Sequence, residues 1–74
     1  MKTARELFEE LGYTYKIDES GLIDCSKIVN NEYYYITFGV KEFWATKSCY
    51  RPMDIDMPTF KAIQKQCEEL GWLE

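Results

Sequence analysis

The side chains able to do chemistry in this chain are few and of restricted kind. Its 74 residues include three Cys, 13 Asp and Glu, nine Lys and Arg, and no His. Without His, the Ser-His-Asp and Cys-His nucleophiles are excluded, with imidazole acid–base catalysis and nearly all mixed Cys/His zinc sites. Cys25, Cys49 and Cys67 are far apart, odd in number and form no CxxC, so they read as free thiols, not a disulfide framework. Cys67 falls on an apolar helical stripe and reads as core. Cys25 and Cys49 fall in or beside strands, with no imidazole to activate a thiolate. Asp54-Ile55-Asp56 lacks the further oxygen ligands and the Gly of a calcium loop. Asp56 serves better as a helix cap, so neither a metal nor a cofactor is expected. Paired carboxylates need an enclosing pocket that a chain this short rarely builds, and the expected activity is non-enzymatic.

What remains is binding, and aromatic residues carry it: six Tyr, four Phe and two Trp. Tyr33-Tyr34-Tyr35-Ile36-Thr37-Phe38 is the strongest strand pattern in the chain, aromatic and β-branched with no Gly or Pro. Alternation puts Tyr34, Ile36 and Phe38 on one face, and Tyr33, Tyr35 and Thr37 on the other. If the Ile36 face meets the helices, Tyr33 and Tyr35 stand on the open face, where Tyr13 and Tyr15, or Trp44, join them. Tyr33, Tyr35, Tyr15 and Trp44 are therefore the candidate partner-binding residues, since rigid aromatics contribute contact area at low entropy cost. The competing reading is that tyrosines simply cover a thin sheet while their hydroxyls reach water.

A nucleobase stacked on such a platform is the alternative ligand, with Lys41, Lys47 and Arg51 as the clustered donors for phosphate. Glu32 and Glu42 flank the strand, however, and the net charge of −4 argues against a nucleic-acid partner. Glu9, Glu10, Glu68 and Glu69 sit at helix C-terminal ends, where negative charge is mildly unfavourable. They read as an acidic surface that steers the chain towards a basic partner.

Two helices and four strands must position these groups. Thr3-Ala4-Arg5-Glu6 fits a capping box, and Ala4, Leu7, Phe8 and Leu11 then form one apolar stripe, predicting a helix over 3–11 closed by Gly12. Alternation predicts a strand over 13–18, and Asp18-Glu19-Ser20-Gly21 a turn. Residues 22–29 read as a second strand whose doublets Leu22-Ile23 and Ile28-Val29 imply either a bulge or a two-sided edge. Asn30-Asn31 signals a tight hairpin into the tyrosine strand. Gly39 opens the next turn, residues 43–47 form a fourth strand that extends at most to Tyr50, and 51–55 form a loop. Asp56 caps a second helix with Met57, Phe60, Ile63, Cys67 and Leu70 on its apolar face. Its ending, Glu68-Glu69-Leu70-Gly71-Trp72, nearly repeats Glu9-Glu10-Leu11-Gly12-Tyr13, the same helix-ending chemistry used twice. The expected architecture is one small α+β domain over 1–74, α-β-β-β-β-α, a four-stranded antiparallel meander with both helices on one face.

The opening, Met1-Lys2-Thr3-Ala4-Arg5-Glu6-Leu7-Phe8-Glu9-Glu10-Leu11-Gly12-Tyr13, and the close from Asp54-Ile55-Asp56-Met57 to Gly71-Trp72 bracket a Tyr-rich meander. In this the chain resembles a group of small uncharacterised proteins encoded by phages and prophages of Gram-positive bacteria. The resemblance spans most of the chain and brings no active-site residues. It implies an accessory gene product in a bacterial cytoplasm, docking on a host or defence protein as an inhibitor. The alternatives are a nucleotide sponge formed by a homodimer and a structural component of a phage particle. Reduced thiols, no apolar run of signal-peptide type and no apolar stretch of about 20 residues agree with a cytoplasmic protein that does not enter a membrane.

Overall fold

Thr3 starts the first helix as its sequence position requires. Its hydroxyl accepts the Glu6 N–H, and the Glu6 carboxylate accepts the Thr3 N–H, closing the capping box over α1 (Ala4–Glu10). This computed structural model describes residues 2–73; Met1, which opens the stretch bearing the phage resemblance, lies outside the described residues. The helix ends at Leu11. Gly12, at φ +93°, lets its own N–H reach the Glu9 carbonyl and the Tyr13 N–H reach the Phe8 carbonyl, the two bonds of a Schellman ending. Gly71 and Trp72 make the same pair of bonds to Glu68 and Cys67 at the end of α2 (Met57–Glu69), so the Glu-Glu-Leu-Gly-aromatic repeat is a shared helix-ending device.

Between the helices the chain folds into β1 (Thr14–Ile17), β2 (Ile23–Val29), β3 (Glu32–Phe38), β4 (Phe43–Lys47) and β5 (Arg51–Pro52). They pair antiparallel in chain order. The α+β meander with a helix at each end is as expected, with one strand more. Residues 51–55 were expected to be loop; instead Arg51 and Pro52 pair with Lys47 and Thr46 across a 3-10 turn, Ser48–Tyr50. A two-residue edge strand has no periodicity to detect, and Pro is confined to such edges because it donates no hydrogen bond. Asn30 and Asn31, at φ +52° and +66°, form the two-residue turn joining Val29 to its partner Glu32. The apolar doublets of β2 need no bulge. Its register with β3 is continuous, Leu22 precedes the strand, and Ile28 and Val29 lie at the hairpin end.

Both helices contribute to one core. Phe8 of α1 and Ala62, Ile63 and Cys67 of α2 join Tyr13, Ile23, Cys25, Ile36 and Phe38, and Ile36 is fully buried. The buried face of α2 differs from the expected stripe. Ile63 and Cys67 are inside, but Met57, Phe60 and Leu70 are exposed, and Thr59, Ala62 and Gln66 take their places. The polar members of that face have partners from the chain itself: Gln66 Oε1 accepts the Tyr15 hydroxyl, and the Thr59 N–H caps on Asp56. Glu69 Oε2 accepts the Ala4 N–H at 2.8 Å, tying the end of α2 to an otherwise orphan donor at the start of α1. Among the described residues no helix is long and apolar enough to cross a membrane.

Candidate functional site

Strand register sorts the aromatic residues between the two faces of the sheet. From Ile36, pairing runs to Cys25 and on to Tyr15 on one side, and to Ala45 on the other, and this row lies under the helices. The neighbouring row, Ser26, Tyr35 and Thr46, points away from them, as do Ile28 with Tyr33 and Asp24 with Thr37 and Trp44. Tyr33 and Tyr35 are 45% and 42% exposed, and their rings stack at 6.0 Å between centroids and 7° between planes. Trp44 is 47% exposed on the same face and leans over Gly39, where an added Cβ would come within 3.3 Å of the indole. A shallow groove of about 530 Å³ runs across Tyr33, Tyr35, Trp44 and Thr46 to Tyr50.

Three of the four candidate partner-binding residues therefore share the open face, and the fourth does not. Tyr15 packs against the core beneath the helices and donates to Gln66, because it sits in the Ile36 row. Tyr13 is buried too, drawn in by the Schellman turn and set edge-on to Phe8 at 5.5 Å. Sequence reasoning missed Ile28 and Tyr50 as members of this surface, 60% and 92% exposed. Tyr50 is the last residue of the 3-10 turn beyond β4, and only the following Arg51-Pro52 hinted that the chain reverses there.

The proposed phosphate donors do not form a cluster. Lys41 lies in the turn before β4 and Lys47 at its other end, with a strand of five residues, roughly 16 Å, between them. Arg51 is already engaged: Nη2 donates to both Glu32 oxygens at 2.6 Å and Nε to the Ser48 carbonyl at 3.0 Å. Hydrogen bonding to Ser48, reinforced by Arg51, holds the Glu32 carboxyl below its ordinary range. Ser48 Oγ also accepts the Tyr33 N–H at 2.8 Å, so the 3-10 turn is fastened to the end of the tyrosine strand.

Charge is nearly balanced on the open face. Lys16 and Asp24 stand opposite one another there, and Asp24 Oδ1 accepts the Thr37 hydroxyl at 3.0 Å. Most acidic groups lie on the helices and turns, and several have partners: Glu9 with Arg5, Glu10 with Lys2, Glu69 with the Ala4 N–H. Burial, with Asp24 adding to it, pushes the Cys25 thiol up to about 12, and burial also raises Cys67. Cys49 is exposed beside the groove. Among the described residues, no three His, Cys, Asp or Glu side chains are grouped to hold a metal ion. No known protein-family model, curated protein or solved structure matches the chain.

Proposed function

We propose that the chain is a non-enzymatic binding protein that docks a protein partner through the open aromatic face of its sheet. In the context its phage resemblance implies, it is an accessory protein acting on a host or defence protein in a bacterial cytoplasm. One observation carries this reading: Tyr33 and Tyr35 are stacked and half-exposed on the side away from the helices, with Trp44 and Tyr50 around the same groove. Stacked rings have little rotamer freedom left to lose, and Tyr and Trp are the residues on which interface energy concentrates. The net charge of −4 favours a partner with a basic rim around an apolar centre.

The test uses the intact chain and Tyr33→Ser/Tyr35→Ser as baits in a bacterial host lysate, with Lys61→Gln on α2 as control. The reading expects a protein retained by the wild type and the control and lost with the double variant, whose circular dichroism is unchanged. Equal capture by all three baits overturns it.

A second reading is self-association through the same face. It is favoured by the small charge there, since a second acidic copy meets Lys16 and Lys47 as well as Asp24 at that surface. Light scattering separates the two, because a homodimer doubles the mass of the purified protein and Tyr35→Ala returns it to monomer.

A further inference from the structure

The groove on the open face restricts the form a docking partner can take. Its walls are aromatic: Tyr33 and Tyr35 on β3, Trp44 towards one end and Tyr50 at the other. Thr46, the cross-strand neighbour of Tyr35, lies between those ends. Among the described residues, the Trp44 indole N–H and the hydroxyls of Tyr33, Tyr35, Tyr50 and Thr46 find no acceptor within the chain. A partner that covers these donors must bring acceptors of its own, or the water they lose goes uncompensated.

The common kinds of partner surface answer that demand poorly. An α-helix and a β-sheet, a second copy's open face included, spend their carbonyls on their own hydrogen bonds and can answer only with side chains. An added strand needs a sheet edge, and here the main chain is already paired from β3 through β4 to β5. A polyproline II segment has no internal hydrogen bonds, so each of its carbonyls is free to accept. It is also stiff before it binds, which suits a shallow groove whose contact area offsets little ordering entropy. The lengths agree as well. Residues 44–48 cover about 13 Å at strand rise, which is one polyproline II turn of about 9.3 Å and a further residue.

We infer, building on the docking reading, that the partner presents a proline-rich segment in polyproline II conformation, which lies along the groove from Trp44 to Tyr50. Its pyrrolidine rings pack against the aromatic walls, and its carbonyls accept from the Trp44 indole and the Thr46 hydroxyl. No carboxylate lines the groove, so a neutral segment settles there without burying a charge, and the net charge of −4 around it favours basic residues at the segment's ends.

Isothermal titration calorimetry of the intact chain tests it, with a synthetic decaproline carrying a lysine at each end and a Gly-Ser peptide of equal length with the same ends. The proline peptide should bind saturably, one per chain, and the Gly-Ser peptide at least about tenfold more weakly, although its charge is the same. Tyr35→Ala should weaken proline binding by at least about tenfold, the loss of an aromatic anchor. Trp44→Phe, which keeps an aromatic ring and deletes the donor, should weaken it about fivefold. No heat from the proline peptide, equal binding of the two peptides, or full binding by Tyr35→Ala or Trp44→Phe overturns the inference. So does a homodimer through this face that saturating proline peptide leaves intact. If the proline peptide is silent while Tyr33→Ser/Tyr35→Ser still loses a lysate protein, the proline segment alone is refuted. If all the lysate baits capture equally as well, the docking reading falls with it.

Discussion

Tyr35 and Ile36 are adjacent in sequence and opposite in role, which makes them the sharpest test of the sheet's two sides. Ile36 is fully buried against both helices, and Ile36→Ala should cost about 2–5 kcal/mol by urea unfolding, the lost transfer energy plus a cavity. Tyr35 is 42% exposed, and Tyr35→Ala should cost under about 1 kcal/mol while reducing whatever association the open face supports. The reverse order of costs would mean that the helices cover the other side. The assignment of these two residues was legible in the sequence, because strand alternation has period 2 and the apolar Ile36-Phe38 row is the better core. That of Tyr15 was not. Its face depends on two successive registers, Tyr15 to Cys25 and Cys25 to Ile36, and a shift of one residue in either reverses it. The five-residue connection between β1 and β2 carries no signal that sets that register.

At the scale of elements, two hairpin turns, Asn30-Asn31 before the tyrosine strand and Ser48–Tyr50 between β4 and β5, show what local chemistry reveals and what it hides. Asn30 and Asn31 adopt positive φ, and Asn tolerates that region, so the turn could be read directly. Cys49 and Tyr50 also adopt positive φ, at +63° and +58°, but neither residue type favours it. That turn is imposed by the fastenings around it, the Arg51–Glu32 fork and the Tyr33 N–H on Ser48, and those become visible only once β5 is paired. The strain has a use in the docking reading, since it holds the most exposed aromatic of the surface at the end of the groove. Tyr50→Gly should therefore stabilise the fold by about 0.5–1 kcal/mol, relieving the left-handed backbone at a side chain that is 92% exposed. Its thermal midpoint should rise by a few degrees while capture of the partner weakens. A lower midpoint would show that the Tyr50 ring packs on the protein and is not held out for a partner.

For the whole molecule, the same two-sided construction predicts how stability responds to pH at each extreme. Sequence reasoning reached the architecture because both helices announce their caps and the sheet its best strand, but it misjudged which face of α2 is buried. Thr59 and Gln66 look solvent-facing in a hydrophobic count and become interior only through partners supplied by Asp56 and Tyr15. Four surface carboxyls are held below their ordinary values by hydrogen bonds: Glu6 from Thr3, Asp18 from Ser20, Glu32 from Ser48 and Asp56 from Thr59. In the unfolded chain these groups take up protons at higher pH than in the native one. Their contribution is present above 3.8–4.5 and is lost as pH falls through their lower native values. The interior acts at the other extreme. Burial raises Tyr13, Tyr15, Cys25 and Cys67, whose unfolded values are 10.0 for the phenols and 9.0 for the thiols, with Tyr13 and Cys25 reaching about 12. Between those limits the unfolded chain has lost protons that the native chain keeps, so unfolding becomes easier as pH rises. Each such group removes up to about 1.4 kcal/mol per pH unit. Urea unfolding followed from pH 8 upward should show stability level to about 9 and then falling steeply. Cys25→Ala should lower stability throughout through its cavity yet fall less steeply between 9 and 12, by the slope of one proton. An unchanged slope in that variant would mean that the Cys25 thiol ionises as readily inside the fold as outside it, and that the sheet–helix interior is open to water.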